Sequence, residues 1–299
     1  MCWLFIIGFC LVALRASSLI ITWLRIEALL LGFSFLRRFS FLASERVLKY
    51  FIVQSLSGVL ILMGLLNPSL SILLFLALIL KLGLFPCYYW VVAVYKGLDW
   101  PLLILARTGQ KLPSLVVVSC LTRIYSSLFL RAGLLTVALG RRLALGVLGL
   151  KKALAWRRVA HRGWIISLIA CGSPWLCYLL VYRLLLTLPV VSLASRGASS
   201  LLQSSFSSLI SFISLAGVPP MAGFSLKWWA LALAAYSSGR LALGLILVSL
   251  VSVSWYLWLG LNRALEVAYQ PFRGPACVIV AHTAPLAVWL ALYRVLTLP

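Results

Sequence analysis

Acidic residues are almost missing from this chain. Four carboxylates, Glu27, Glu45, Asp99 and Glu266, stand against 26 lysines and arginines in 299 residues, for a formal charge of +22. In a soluble protein that excess would point to nucleic acid. Here the basic residues are dispersed between apolar runs and gather on no polar face, so nucleic acid is excluded as a partner. Bilayer topology accounts for most of them. The seven cysteines form no CxxC pair and mostly lie in apolar runs, where a thiol behaves as a small hydrophobe. With only His161 and His282 besides, far apart in sequence, no metal site or disulfide framework is visible. The chain also lacks GxGxxG, Walker and HExxH patterns, so no nucleotide, flavin or haem site is legible. Polar stretches long enough for a large soluble domain are absent too.

What fills the chain is hydrocarbon. The sequence is 64% hydrophobic with mean hydropathy +1.12, where soluble domains run nearer half apolar. At about 20 apolar residues per crossing, the length holds about eleven transmembrane helices in one domain spanning 1–299. The apolar runs fall at 2–14, 18–36, 48–66, 69–95, 101–124, 128–149, 163–172, 176–195, 206–236, 241–261 and 276–298. The first has no basic leader before it and is read as a retained span. The fold class is thus an all-α polytopic membrane protein. Basic connections at 37–49 (Arg37, Arg38, Arg46, Lys49) and 150–162 (Lys151, Lys152, Arg157, Arg158, Arg162) lie on one face, which puts the N-terminus inside. Arg141 and Arg142 do not fit that register, and Arg25, Arg107 and Arg183 within apolar runs have no account at this level. The tryptophans Trp90, Trp100, Trp164, Trp175, Trp228 and Trp229 read as interfacial anchors flanking the spans.

Two of the runs carry their own breakers. Pro86 interrupts LILKLGLFPCYYW, and Gly217, Pro219, Pro220 and Gly223 interrupt SLAGVPPMAGFSLKWW. Beside each break stands a lysine, Lys81 and Lys227. Lys111 precedes Pro113, a third irregularity, and Glu27 lies inside the second run. A charge at the bilayer centre costs at least ~2.5–3.5 kcal/mol. Such groups face a bundle interior, pair with one another or line a wet path. A lysine near a span end can simply snorkel to the interface. Next to a helix break the balance tips, because freed backbone groups are tolerated only within protein or at a hydrated cavity. Two broken helices in different halves of the chain suggest paired repeats around a transport path. Lysine exchanges protons when buried and arginine does not, which makes the lysines the candidate proton carriers and Glu27 their modulator.

These stretches, in this order, resemble the antiporter-like proton-pumping subunits of respiratory complex I, in particular the subunit-2 line of mitochondrial NADH dehydrogenase. The resemblance is carried by TWLRIEALLLGF, SERVLKYFIVQSLSGVLILM, LILKLGLFPCYYWVVAVYKGL, GQKLPSL, VAHRGWIISL and SLAGVPPMAGFSLKWW, from about residue 20 to about residue 262. It implies an antiporter-like fold with two broken helices and inverted repeats, shortened at the N-terminus. It also implies roles: Glu27 paired with Lys81, Lys111 at the centre of a hydrophilic axis, Lys227 on the proton exit side, and His161 near the connecting water path. Such subunits hold no cofactor of their own. FMN, iron–sulfur clusters and ubiquinone belong to other subunits, while the partners are neighbouring membrane-arm subunits and lipid. The implied location is the mitochondrial inner membrane with the N-terminus on the matrix side. A stand-alone cation/proton antiporter of the same fold, or a structural subunit that no longer pumps, accommodates the same charges. This chain departs from the family pattern in Arg25 beside the glutamate, in Arg107 near Lys111, and in the short basic stretch KKALAWRRVAHRGW.

Overall fold

A computed structural model describes residues 18–35, 41–67, 69, 71–95, 111–144, 147, 150–194, 214, 217 and 222–267. Among them the regular elements are helices: α1 (Leu19–Phe35), α2 (Phe41–Leu66), α3 (Ser71–Leu82), α4 (Tyr89–Tyr95), α5 (Leu112–Arg142), α6 (Leu150–Ala170), α7 (Trp175–Ala194), α8 (Ala222–Ser237) and α9 (Gly239–Val267). The apolar runs at 2–14 and 276–298 lie outside the described residues. The chain separates into two compact units, Met1–Gly140 with Lys151–Ser173, and Arg141–Leu150 with Pro174–Pro299.

Among the described residues, large apolar side chains are exposed while several cations are buried. Leu24, Ile52, Leu56, Val59, Met63, Ile72 and Leu76 are all at least half exposed, while Lys81, Lys111, Arg157 and Arg162 are buried. In water such a surface would drive association. Against hydrocarbon it is the low-energy arrangement, and the charges turn inward. Within α2, the stretch Glu45–Leu66 is long and apolar enough to cross a membrane.

In the first unit α2 packs against α1, α3 and α4. The run at 69–95 is interrupted as its proline suggests. Helix α3 stops at Leu82, Gly83 turns back at φ +68, the Phe85–Pro86 bond is cis, and α4 begins at Tyr89. The left-handed turn needs glycine, since a side chain there would be strained and would also meet Arg162 Nη1 at 2.9 Å and Trp90 Cζ2 at 3.2 Å.

Helix α5 is a hairpin. Its 31 residues contain one non-helical position, Tyr125 (φ −116, ψ 31). A straight helix would hold Lys111 and Thr136 roughly 37 Å apart. Yet Lys111 Nζ donates to the Lys81 carbonyl at 2.5 Å and Thr136 Oγ1 accepts from Phe85 N at 2.9 Å, both near the C-terminal end of α3. Tyr125 meanwhile donates to Ser71 Oγ at 2.7 Å, at the other end of that helix. The limbs 112–124 and 126–142 therefore fold back at Tyr125. Pro113 sits in the first turn, where its missing N–H is no loss. The irregularity at Lys111 is thus a helix start.

The basic stretch 150–162 corrects the sequence-based topology. It is helix, not connection: α6 runs from Leu150 to Ala170, with Arg157, Arg158 and Arg162 buried. Small residues explain how so charged a helix packs. A Cβ at Gly140 would stand 2.7 Å from Ala160 N, and one at Gly133 would stand 3.1 Å from the Gly163 carbonyl. The second limb of α5 and α6 approach at backbone distance because nothing larger stands between them. In the second unit α8 packs on α7 and α9.

Candidate functional site

Glu27, Lys81 and Lys111 converge in the first unit. Lys81 Nζ lies 2.8 Å from Glu27 Oε1, a pair in which the lysine side chain is 2% exposed and the glutamate 22%. Two features bring the carboxylate there. Trp23, one turn earlier on α1, donates its indole N–H to the Gly58 carbonyl at 2.8 Å and ties α1 to α2. Gly58 then leaves room: a Cβ at that position would overlap the Glu27 carboxylate.

Lys111 reaches the same place from the start of α5. Its ammonium donates to the Lys81 carbonyl at 2.5 Å and to Gln54 Oε1 at 3.2 Å. Gln54 Nε2 donates to the same carbonyl at 3.1 Å. Lys81 Nζ in turn lies 3.5 Å from the Gln54 backbone oxygen. Gln54 thus touches both lysines and joins them into one polar thread. The ammonium of Lys111 also faces the Trp90 ring at 5.1 Å and the Tyr50 ring at 5.6 Å. Cation–π attraction of this kind offsets part of the lost hydration.

Next to this thread lie the arginines of α6. Arg162 Nη1 donates to the Leu82 carbonyl, and its guanidinium stands 5.9 Å from the Trp90 ring. Arg158 sits 4.0 Å over the Tyr95 ring. His161 is buried beside Arg162 on the same helix. Two tryptophans are not interfacial anchors: Trp90 lies between Lys111 and Arg162, and Trp164 is almost wholly buried.

Lys227 belongs to the second unit. It is buried on α8 and its side chain lies back over Gly217, as helical side chains do toward the N-terminus. A Cβ at Gly217 would stand 2.7 Å from Lys227 Cδ and 2.9 Å from Nζ, and the glycine holds φ +83. The turn and the lysine are therefore built for each other; Pro219 and Pro220 lie outside the described residues. Arg107 and Asp99 lie outside them as well. Glu45 pairs with Lys49 at an exposed site, 2.6 Å apart, away from this chemistry. Gln54, Tyr50, Trp90, Arg158 and Arg162 were not expected in the site.

Apolar helix faces turned outward and a span broken at Gly83 and Pro86 define a helical membrane protein. The transmembrane family described as NADH:quinone oxidoreductase/Mrp antiporter matches residues 66–254. Among individual relatives, NADH-ubiquinone oxidoreductase chain 2 of Artemia franciscana is 31% identical over 231 residues, covering 75% of this chain and 76% of the relative. The chain 2 of Branchiostoma lanceolatum is 32% identical over 250 residues, covering 73% and 71%. Among solved structures, a chain of respiratory complex I from Thermus thermophilus superposes with a TM-score of 0.70 at 25% identity, covering 91% of this chain and 72% of that one. A chain of the Mrp complex from Dietzia sp. DQ12-45-1b gives 0.71 at 18% identity, covering 85% and 58%, a likeness of fold. This chain belongs to the NADH:quinone oxidoreductase/Mrp antiporter transmembrane family.

Proposed function

We propose that this chain is a proton-translocating membrane-arm subunit of respiratory complex I, one antiporter-like domain over 1–299 in the mitochondrial inner membrane. The observation that carries the reading is the series of contacts from Glu27 through the buried Lys81 and Gln54 to the buried Lys111. Glu27 is the less buried end and hands the proton in. Lys81 exchanges its ammonium between the carboxylate and the Gln54 carbonyl oxygen. Lys111, as the free amine, takes the proton next from Lys81 through water, and the ammonium so formed is held by the Lys81 carbonyl and the faces of Tyr50 and Trp90. The family resemblance assigns His161 to the onward path and Lys227 to the exit side. No bond other than N–H and O–H changes in these steps. FMN, iron–sulfur clusters and ubiquinone sit in other subunits, and neighbouring membrane-arm subunits and lipid surround the chain. The basic residues at 37–49 support an N-terminus on the matrix side.

Protons moved per NADH oxidised, measured in vesicles holding the assembled complex, test this reading. Lys111→Ala is expected to lower the ratio while NADH oxidation by the complex continues. An unchanged ratio would favour a scaffold that no longer pumps, a reading to which the non-titrating Arg158 and Arg162 lend support.

A further inference from the structure

A helix that ends inside a membrane leaves its last four carbonyls without intrahelical partners, and its C-terminal end carries a partial negative charge. At α3 those carbonyls are all served. Ile79 O accepts from the Gly83 and Leu84 amides at 2.9 and 3.0 Å. Leu80 O accepts from the Trp90 indole at 3.1 Å. Lys81 O accepts from Gln54 and Lys111. Leu82 O accepts from Arg162. Two cations thus share one helix end, on adjacent carbonyls, with the Trp90 ring facing both. They are not equivalent. Lysine can release its proton when buried; arginine stays charged. The site is also shaped for the guanidinium, because the left-handed Gly83 is what leaves space for Arg162 Nη1 and Trp90.

We propose that Arg162 is a positioning residue: a permanent cation that closes the Leu82 carbonyl of the broken helix and leaves the Lys81 carbonyl, with Gln54 Oε1, as the seat for the mobile charge of Lys111. The break is then one-sided. Protons pass laterally along Glu27, Lys81 and Lys111, and do not leak past the helix end toward α6. This rests on the proposed function above, and the test separates the two. In the assembled complex, the ratio of protons to NADH is compared for Lys111→Ala, Arg162→Lys and Arg162→Gln. Lysine keeps a donor but can release its proton; glutamine keeps a donor without charge. The expected result is a fall to the Lys111→Ala level for Arg162→Gln and a smaller fall for Arg162→Lys, with NADH oxidation retained. If Lys111→Ala leaves the ratio unchanged, the proposed function itself fails. If Lys111→Ala lowers it while Arg162→Gln and Arg162→Lys both keep the unsubstituted ratio, the pathway stands and the role of Arg162 is overturned. Failure of Arg162→Gln to assemble, where Arg162→Lys assembles, also overturns it, since the charge would then serve folding alone.

Discussion

At the residue scale, glycines make room for charged side chains here. Gly58 admits the Glu27 carboxylate, and Gly217 admits the Lys227 side chain. Gly83 and Gly172 share the same φ of +68, but only Gly83 is crowded by Val91, Arg162 and Trp90. Gly172→Ala should therefore cost only the backbone penalty of roughly 1–2 kcal/mol, whereas Gly83→Ala adds a collision and should lower thermal stability further. Thermal inactivation midpoints of the assembled complex compare the two directly. Glu27→Gln removes the counter-charge of Lys81 while keeping an acceptor. Leaving the buried Lys81 ammonium without a counter-charge should cost up to about 3–5 kcal/mol and lower the proton yield per NADH. The charged members of the site were legible because a Glu or Lys inside an apolar run has no cheap place to go. Gln54 was not, since one uncharged amide in an apolar run carries little signal. Its spacing of four from Tyr50 puts both on one face of α2, and that periodicity was the available clue.

At the scale of elements, the sequence is misleading where charge and burial disagree. Five cations in twelve residues of KKALAWRRVAHR read as a loop by any charge rule, yet they belong to α6. The reason is that Arg158 and Arg162, four apart on one helix face, find a tyrosine ring and a free carbonyl in place of water. Small residues at 140, 160 and 163 make that burial geometrically feasible. The breaks were easier to read, because proline and glycine interrupt helices by covalent geometry wherever they sit. Gly163→Leu should force α6 off the second limb of α5, since even a Cβ there would press on Val137 N at 2.8 Å. Loss of the assembled complex on native gels is expected. Gly32→Leu has open space around it and should assemble as before.

At the scale of the whole molecule, the described residues expose many large apolar side chains while Lys81, Lys111, Arg157, Arg158, Arg162 and Lys227 are buried. The mean hydropathy made membrane residence legible, and the ordered motifs made the family legible. The placement of each cation was not, because composition counts charges without saying which have partners. Leu56, exposed on α2, offers a test of the outward face. Leu56→Lys should weaken membrane integration by about 2.5–3.5 kcal/mol if it lies at bilayer depth, and Leu56→Ile should have little effect. The fraction of chains resistant to alkaline extraction from microsomes reads that difference.

The central claim is that Lys81 alternates between Glu27 and the Gln54–Lys111 side of the thread. A high-resolution map of the assembled complex during turnover tests it most directly. The account predicts a population in which Lys81 Nζ has left its 2.8 Å contact with Glu27, with ordered water reaching Lys111. A closed Glu27–Lys81 pair in every state, with no water between Lys81 and Lys111, would contradict it.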